Sequence, residues 1–474
     1  MTLSERFGRL TRETLELLSK DQLIDLVLAL APLIERVESL EREVAELKAR
    51  LGQNSRNSSK PPSTDPPGTE RPGKESSGRR PGGQPGHPGA SRALASTVDE
   101  VVELRPDRCG HCDQALRGSD PAPDRHQVTE LPLVVPHITE YRQHTLVCGE
   151  CGHQTRAALP EGVAVGQFGP RLLATAGLLT GAYHLSTRAA QEILRDLFGV
   201  DVSLGALSGC EEKVGALLEA PVCEAHAWAQ DQPRAHADET GWKEGRRRPW
   251  LWVLVTSAVT VFLLRPRKKS SARELLGRFA GVLHTDRWGS YNIYGGRRQI
   301  CWAHLLRDFA SMMEFRGPAA GRIGRDLLKK GRRMFRLWAK VRDGTWDRAR
   351  VHQATTGLRA EIERSLREGA ECPHPKMRNV CRRILKFAGD LWTFTSEEGV
   401  EPTNNAAERA IRPAVLWRRK SFGTQSERGS HFVERMLTVR ATLRQQGRNV
   451  IGYIAEVCAC SLNRQPLPSL LPVK

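Results

Sequence analysis

The first ordered pattern along the chain is a ladder. Leu23, Leu26, Leu30, Leu33, Val37, Leu40, Val44, Leu47 and Leu51 recur at alternating steps of three and four, with Glu and Arg on their flanks. This is the seam of a left-handed coiled coil. It predicts an oligomerisation segment over residues 1–52 and a homo-oligomer as its product. The alternative is an amphipathic helix covered by the chain's own core, because Pro32 interrupts the ladder and can divide it.

Large apolar residues almost vanish over residues 53–97, where Pro, Gly, Ser and basic residues predominate. Such a stretch cannot offset the entropy of ordering and reads as a flexible basic linker. Alternation returns at HQVTELPLVVPHITEYRQHTLV, predicting a hairpin within a module at 98–160. Residues 161–225 carry helical periodicity. In LSTRAAQEILRDLFGVDVSLGALSGCEEKVGALL one helix ends at Gly199 and a second starts near Ser203, a helix-turn-helix spacing that serves DNA contact or plain core packing.

From residue 226 the texture changes again. AHADETGW and the two runs of PWLWVLVTSAVTVFLLRPRKK read as three strands, SSARELLGRFA as a helix, GVLHTD as a strand, and RQICWAHLLRDF as strand into helix. The expected fold is multidomain α/β, with a mixed-sheet catalytic core at 226–440 interrupted by basic amphipathic helices at about 309–395. A C-terminal segment, 441–474, follows.

Charge narrows the partners. Of 474 residues, 72 are Lys or Arg and 54 are Asp or Glu, a formal net charge of +18, so a polyanion, nucleic acid first, is expected. No apolar run approaches the roughly 20 residues of a spanning helix, and MTLSERFGRLTRETLELL is too charged for a signal peptide. The expectation is an intracellular protein with no membrane partner. Basic clusters at Arg246–Arg248, Arg265–Lys269, Lys329–Arg333 and Arg418–Lys420 would hold DNA backbone or be solvated surface.

Two chemistries stand out. Cys109-Gly-His-Cys112 and Cys148-Gly-Glu-Cys151 can offer four thiolates to a structural Zn2+. Their 35-residue spacer is long, so free thiols, or His111 or His153 replacing one Cys, stay open. The other seven cysteines read as buried apolar residues. Asp238 and Asp286 lie at strands, where carboxylates can converge on one sheet edge. Glu408 lies in TNNAAERAIRPAVLWRRK, whose Ala407, Ile411 and Leu416 suggest a helix capped by Thr403 or Asn404. Two Asp and one Glu suffice for Mg2+ or Mn2+; the bland alternative for Glu408 is a surface pair with Arg412.

HADETGW, HTDRWGSYN, CWAHLLRDF and above all NNAAERAIRP resemble the DDE transposases of the bacterial insertion sequence 66 family. The leucine ladder, linker, paired Cys knuckles, helical segment and split core stand in the same order there. The resemblance implies an RNase H-like core with Asp238, Asp286 and Glu408 as catalytic metal ligands, 48 and 122 residues apart. It also implies double-stranded DNA, both transposon ends and target, as partner, accessory proteins of the same element, and a cytoplasmic, nucleoid-associated bacterial protein. Thr403, where an acid is usual before the paired asparagines, and WRRKSFGTQSERG depart from the pattern. An inactive DNA-binding or architectural protein, and a nuclease without strand transfer, are the rival readings.

Overall fold

The computed structural model describes residues 12–51, 92–164, 166–315 and 317–472. The linker at 53–97 therefore lies almost wholly outside the described residues. A short helix α1 (Arg12–Glu16) precedes α2 (Lys20–Leu51), which runs through Pro32 without a break. The two-helix alternative is therefore not realised. Along α2, Leu33, Val37, Leu40, Val44 and Leu47 are all exposed in the single chain.

The expected hairpin between the Cys knuckles does not form. Strands β1 (Thr145–Val147) and β2 (Gln154–Arg156) pair across the second knuckle instead, and residues 127–143 pair with nothing in either sheet. Pro132 and Pro136 each lack the N–H that a ladder requires.

The helical segment follows its signals closely. After α3 (Pro170–Gly177) and a π-helical turn come α4 (Thr187–Phe198) and α5 (Leu204–Leu217). Gly199 ends α4 in the left-handed conformation at φ 62°, and the Ser203 hydroxyl accepts from the Ala206 amide to start α5. Helix α6 (Glu219–Ala229) leads to the sheet.

Strands β3 (Arg234–Gly241), β4 (Trp250–Val255), β5 (Thr260–Arg265), β6 (Val282–Thr285) and β7 (Arg298–Ile300) form one mixed sheet, with α7 (Lys269–Leu276) between β5 and β6. The order is β5-β4-β3-β6-β7; the first three are antiparallel, and β6 and β7 run parallel to β3. At Gly281 an added Cβ would sit 2.4 Å from the Pro233 carbonyl oxygen, so only glycine admits the close approach that starts β6 beside β3.

Helices α8 (Trp302–Met312), α9 (Pro318–Arg342), α10 (Arg348–Ala370) and α11 (Pro375–Leu385) follow β7. They share their own apolar core around Trp302, Phe309, Leu327, Ile362 and Phe394. Helices α12 (Asn405–Ser421), α13 (Glu427–Gln445) and α14 (Val450–Leu462) complete the chain.

The sheet is covered on both faces. Leu251, Val253 and Phe262 meet Ala407, Ile411, Ala414 and Trp417 of α12 and Val433 of α13. Leu416, expected on that stripe, is exposed instead, one position off the step of three that Ala414 and Trp417 complete. On the other face Ala235, Ala237, Trp252 and Leu254 join Val214, Leu218 and Ala225 of α5–α6 and Tyr453, Ile454 and Val457 of α14 in one core.

The outer edge of β5 is closed by α13. The amides of Thr260, Phe262 and Leu264 donate to side chains one helical turn apart: Thr442 Oγ1 at 3.1 Å, Thr438 Oγ1 at 3.0 Å, and Glu434 Oε1. A row of donors that would template another strand is thereby satisfied within the chain. Among the described residues no helix is long and apolar enough to cross a membrane.

Candidate active site

Residues two apart on a strand share a face, so His236, Asp238 and Thr240 look toward α12 while Glu239 looks the other way. In the parallel register His236 pairs with His284. Two residues further along both strands lie Asp238 and Asp286, just past the point where pairing ends. Glu408 sits in the first turn of α12, which crosses the same face.

Charge ties the three acids together. Burial, then the charges of Glu239, Asp286 and Glu408, push the Asp238 carboxyl up to about 8, against a backbone hydrogen bond from Glu239 that pulls it down. Asp286 Oδ1 accepts from the Trp288 amide at 2.8 Å. Its carbonyl accepts from Arg298, which also donates to Thr285 Oγ1 at 2.7 Å and so fixes the end of β6.

Glu408 Oε1 lies 3.8 Å from His304 Nδ1 and 3.7 Å from Arg307 Nη2, both on α8. Neither Glu408 Oε1 nor His304 Nδ1 has a hydrogen-bond partner, although both atoms are shielded from solvent. The pairing of Glu408 with Arg412 does not occur: among the described residues its cationic neighbours are those of α8.

The start of α12 is held across the sheet rather than by a cap. Asn404 is the N-cap residue, but its side chain donates to the Ala237 carbonyl at 2.8 Å and accepts from His236 Nδ1 at 3.1 Å. His236 and His284 stack with centroids 3.9 Å apart, and His284 Nε2 accepts from the Glu401 amide at 3.3 Å. Burial holds both imidazoles neutral, lowering His236 to about 4 and His284 to about 3. The Trp302 amide donates to the Pro402 carbonyl and the Asn404 amide to Cys301 Sγ. Strands β3 and β6 and the start of α8 thus converge on the loop that presents Glu408.

Glu239, adjacent to Asp238, is spent elsewhere: it pairs with Arg267 at 2.9 Å and accepts from the Tyr291 hydroxyl at 2.8 Å. Arg267 is in turn sandwiched between Trp250 and Trp288. The sequence reading gave no role to His236, His284, His304 or Arg307, and gave Asn404 only that of a helix cap. The signal for His236, His284 and Asn404 was position in the same short motifs as the acids, and for His304 and Arg307 position at the start of a helix after a strand.

The basic clusters divide. Arg246, Arg247 and Arg248 are exposed, whereas Arg265 pairs with the buried Glu434 and with the exposed Glu274. Lys330 pairs with Asp326, and Arg418 donates to Thr240 and Gly241 of β3.

Each Cys knuckle is formed. Amides of Cys112 and His111 turn toward Cys109, and those of Cys151 and Glu150 toward Cys148; these backbone hydrogen bonds, with smaller help from the second Cys of each pair, lower both thiols. No three of the four sulfurs, however, gather within 4.8 Å of one another. Of the cysteines expected to be buried, Cys210, Cys301, Cys372, Cys381 and Cys458 are, while Cys223 is exposed and Cys460 half-buried.

Beyond burial and Glu239, the charges of Asp286 and Glu408 raise the Asp238 carboxyl, and Glu408 Oε1 is shielded without a hydrogen bond; positive charge nearby would relieve both. The oxygens of the three acids do not, however, gather within 4.8 Å of one another.

The profile of the family described as "Transposase IS66 family" matches residues 165–432, and residues 11–93 match a family of unknown function, DUF6444. Two proteins of Sinorhizobium fredii (strain NBRC 101917 / NGR234) are similar. "Uncharacterized protein y4hP" is 24% identical over 76% of this chain and 72% of its own length. "Uncharacterized protein y4qI" is 26% identical over 39% of this chain and 36% of its own length.

Proposed function

The chain belongs to the IS66 family of transposases, and from that premise we propose that it cleaves DNA at transposon ends and joins them to target DNA with a DDE site. The observation that carries this reading is the Asp238 carboxyl, raised by burial and then by the charges of Glu239, Asp286 and Glu408, at the sheet edge that α12 crosses. The strand order, three antiparallel strands followed by two parallel ones, supports an RNase H-like core.

Asp238, Asp286 and Glu408 would hold Mg2+ or Mn2+. When bound, such ions lower the pKa of an attacking water or 3′-hydroxyl and stabilise the leaving oxygen. Asp238 must release its proton, held at up to about 8 while no cation is near, to become a ligand. The Asn404–His236–His284 contacts hold the start of α12 against the strands that carry the two aspartates, so that Glu408 would be presented without a loop having to order first. Arg307, 3.7 Å from Glu408, supplies positive charge where a phosphate would enter, and exposed Arg246–Arg248 extend a DNA path.

Outside the core, Cys109, Cys112, Cys148 and Cys151 would take a structural Zn2+ once the two formed knuckles close on it. The uncovered leucine face of α2 would pair two copies and so bring two ends together.

Purified protein with labelled element ends, target plasmid and Mg2+ or Mn2+ tests the reading. Cleaved ends and joined product are expected. Binding indifferent to Mg2+ with no nick would mean a DNA-binding protein with an inactive site, and cutting without joining a nuclease.

A further inference from the structure

We propose that Cys301, His304 and Glu408 form a zinc site, distinct in ligand chemistry from the three-acid magnesium set but sharing Glu408 with it. The ligand atoms of these three residues all lie within 4.8 Å of one another. Cys301 is the residue that starts α8 and His304 lies one turn on, so both face the same way; Glu408 arrives from α12. A tetrahedral zinc with bonds of about 2.0–2.3 Å sets its ligands roughly 3.3–3.8 Å apart. His304 Nδ1 and Glu408 Oε1 already stand 3.8 Å apart, and the widest pair needs to close by about 1 Å.

Two independent features point to a ligand here. His304 Nδ1 and Glu408 Oε1 are both shielded and without a hydrogen bond, and such atoms are rare in folded proteins unless something binds them. The donor set is also wrong for magnesium, which demands oxygen, and right for zinc, which takes one thiolate, one imidazole and one carboxylate with a fourth position open. The Asn404 amide, which donates to Cys301 Sγ at 3.2 Å, would stabilise the thiolate. Arg307, 3.7 Å from the same Glu408 oxygen, would lose that partner on zinc binding.

The consequence is regulatory. Zinc at this site takes Glu408 from Asp238 and Asp286, so micromolar zinc would oppose magnesium. That competition rests on the proposed cleavage; zinc binding does not.

The test is metal uptake by the chelator-stripped full chain, with Zn2+ and Co2+ as probes. The unmodified chain should bind one equivalent more than Cys301→Ser or His304→Gln, and the cobalt spectrum should lose one thiolate charge-transfer contribution in Cys301→Ser. The Cys knuckles are unchanged in these variants and cancel in the difference. Equal uptake and identical cobalt spectra would overturn the proposal, whatever the outcome of DNA cleavage. Should the variants fail to fold by circular dichroism, the unmodified chain decides: zinc must slow alkylation of Cys301, read by peptide mass spectrometry, and no slowing overturns the site.

Discussion

The segment from residue 166 onward and the segments before it are built on opposite terms. In the first, Trp252, Phe309 and Phe394 are fully buried, and polar groups such as Thr438, Thr442 and Asn404 are buried with partners. In the second, α2 exposes its leucine face, and Val128, Leu131, Leu133 and Ile138 are all more than 80% exposed. The catalytic part closes its cores by itself. Among its described residues the N-terminal part has its local turns and helices but leaves most of these apolar side chains uncovered, Leu26 being buried, so its order should depend on what binds it.

The strongest way to break that contrast is at the acids, which lie in the self-sufficient part yet are proposed to serve an external ligand. Glu408→Gln, Asp238→Asn and Asp286→Asn should each lower end cleavage by orders of magnitude while leaving end binding near the parental value. Combining them should add little, since each disables one shared site. Cleavage and gel-shift assays on the same DNA check this. A Glu408→Gln protein that cuts at near the parental rate would remove this residue from the site.

Next in size is the core. Trp252→Ala should destabilise the catalytic part by about 3–5 kcal/mol, measured by urea unfolding of tryptophan fluorescence. Its counterpart on the exposed side, Leu40→Asn in the middle of the α2 face, should leave that unfolding curve unmoved and shift light-scattering mass toward the monomer. If Leu40→Asn lowers the core's stability instead, the two parts are not independent.

Much of this contrast was legible in advance, and the reasons differ by element. Gly199 and Ser203 bounded α4 and α5 because cap chemistry is local to a few residues. The strand sequence around Asp238 and Asp286 was legible because β4 and β5 are apolar on both faces. The hairpin expected between the knuckles failed because alternation says nothing about whether a partner strand exists. Asn404 was expected to cap its own helix, yet its amide is used 168 residues away at His236. His304 and Arg307 could be quoted in CWAHLLRDF but not assigned, since nothing in that stretch says that Glu408 will lie against it.

Smaller effects separate the parts further. Cys148→Ser should abolish zinc uptake at the knuckles by elemental analysis and change core stability by no more than about 0.5 kcal/mol.

A further effect is in pH. His184, His236 and His284 are held neutral in the fold, at about 4, about 4 and about 3, chiefly by burial. Their unfolded pKa is near 6.5. Between those values the unfolded chain binds more protons, so stability is full above about pH 6.5 and falls as pH drops toward 4. Asp238, raised to about 8, acts with the opposite sign and gains stability as pH falls from 8 toward 4. Asp238→Asn should therefore lose more stability between pH 7 and pH 5 than the parent, read from urea midpoints. An equal loss would mean that Asp238 is not perturbed.

The closure of β5 by α13 also sets an order of events during synthesis. The amides of Thr260, Phe262 and Leu264 are made long before Glu434, Thr438 and Thr442, which follow by 170 to 182 residues. At roughly 5–20 residues per second the ribosome needs on the order of ten to forty seconds to supply that helix. Through that interval the nascent chain carries TVFLLR as an open edge with unanswered donors, a template for pairing with the same strand on a neighbouring nascent chain. The window in which this protein is most exposed to aggregation, and most in need of a holding chaperone, is therefore fixed by the distance between one strand and the helix that seals it.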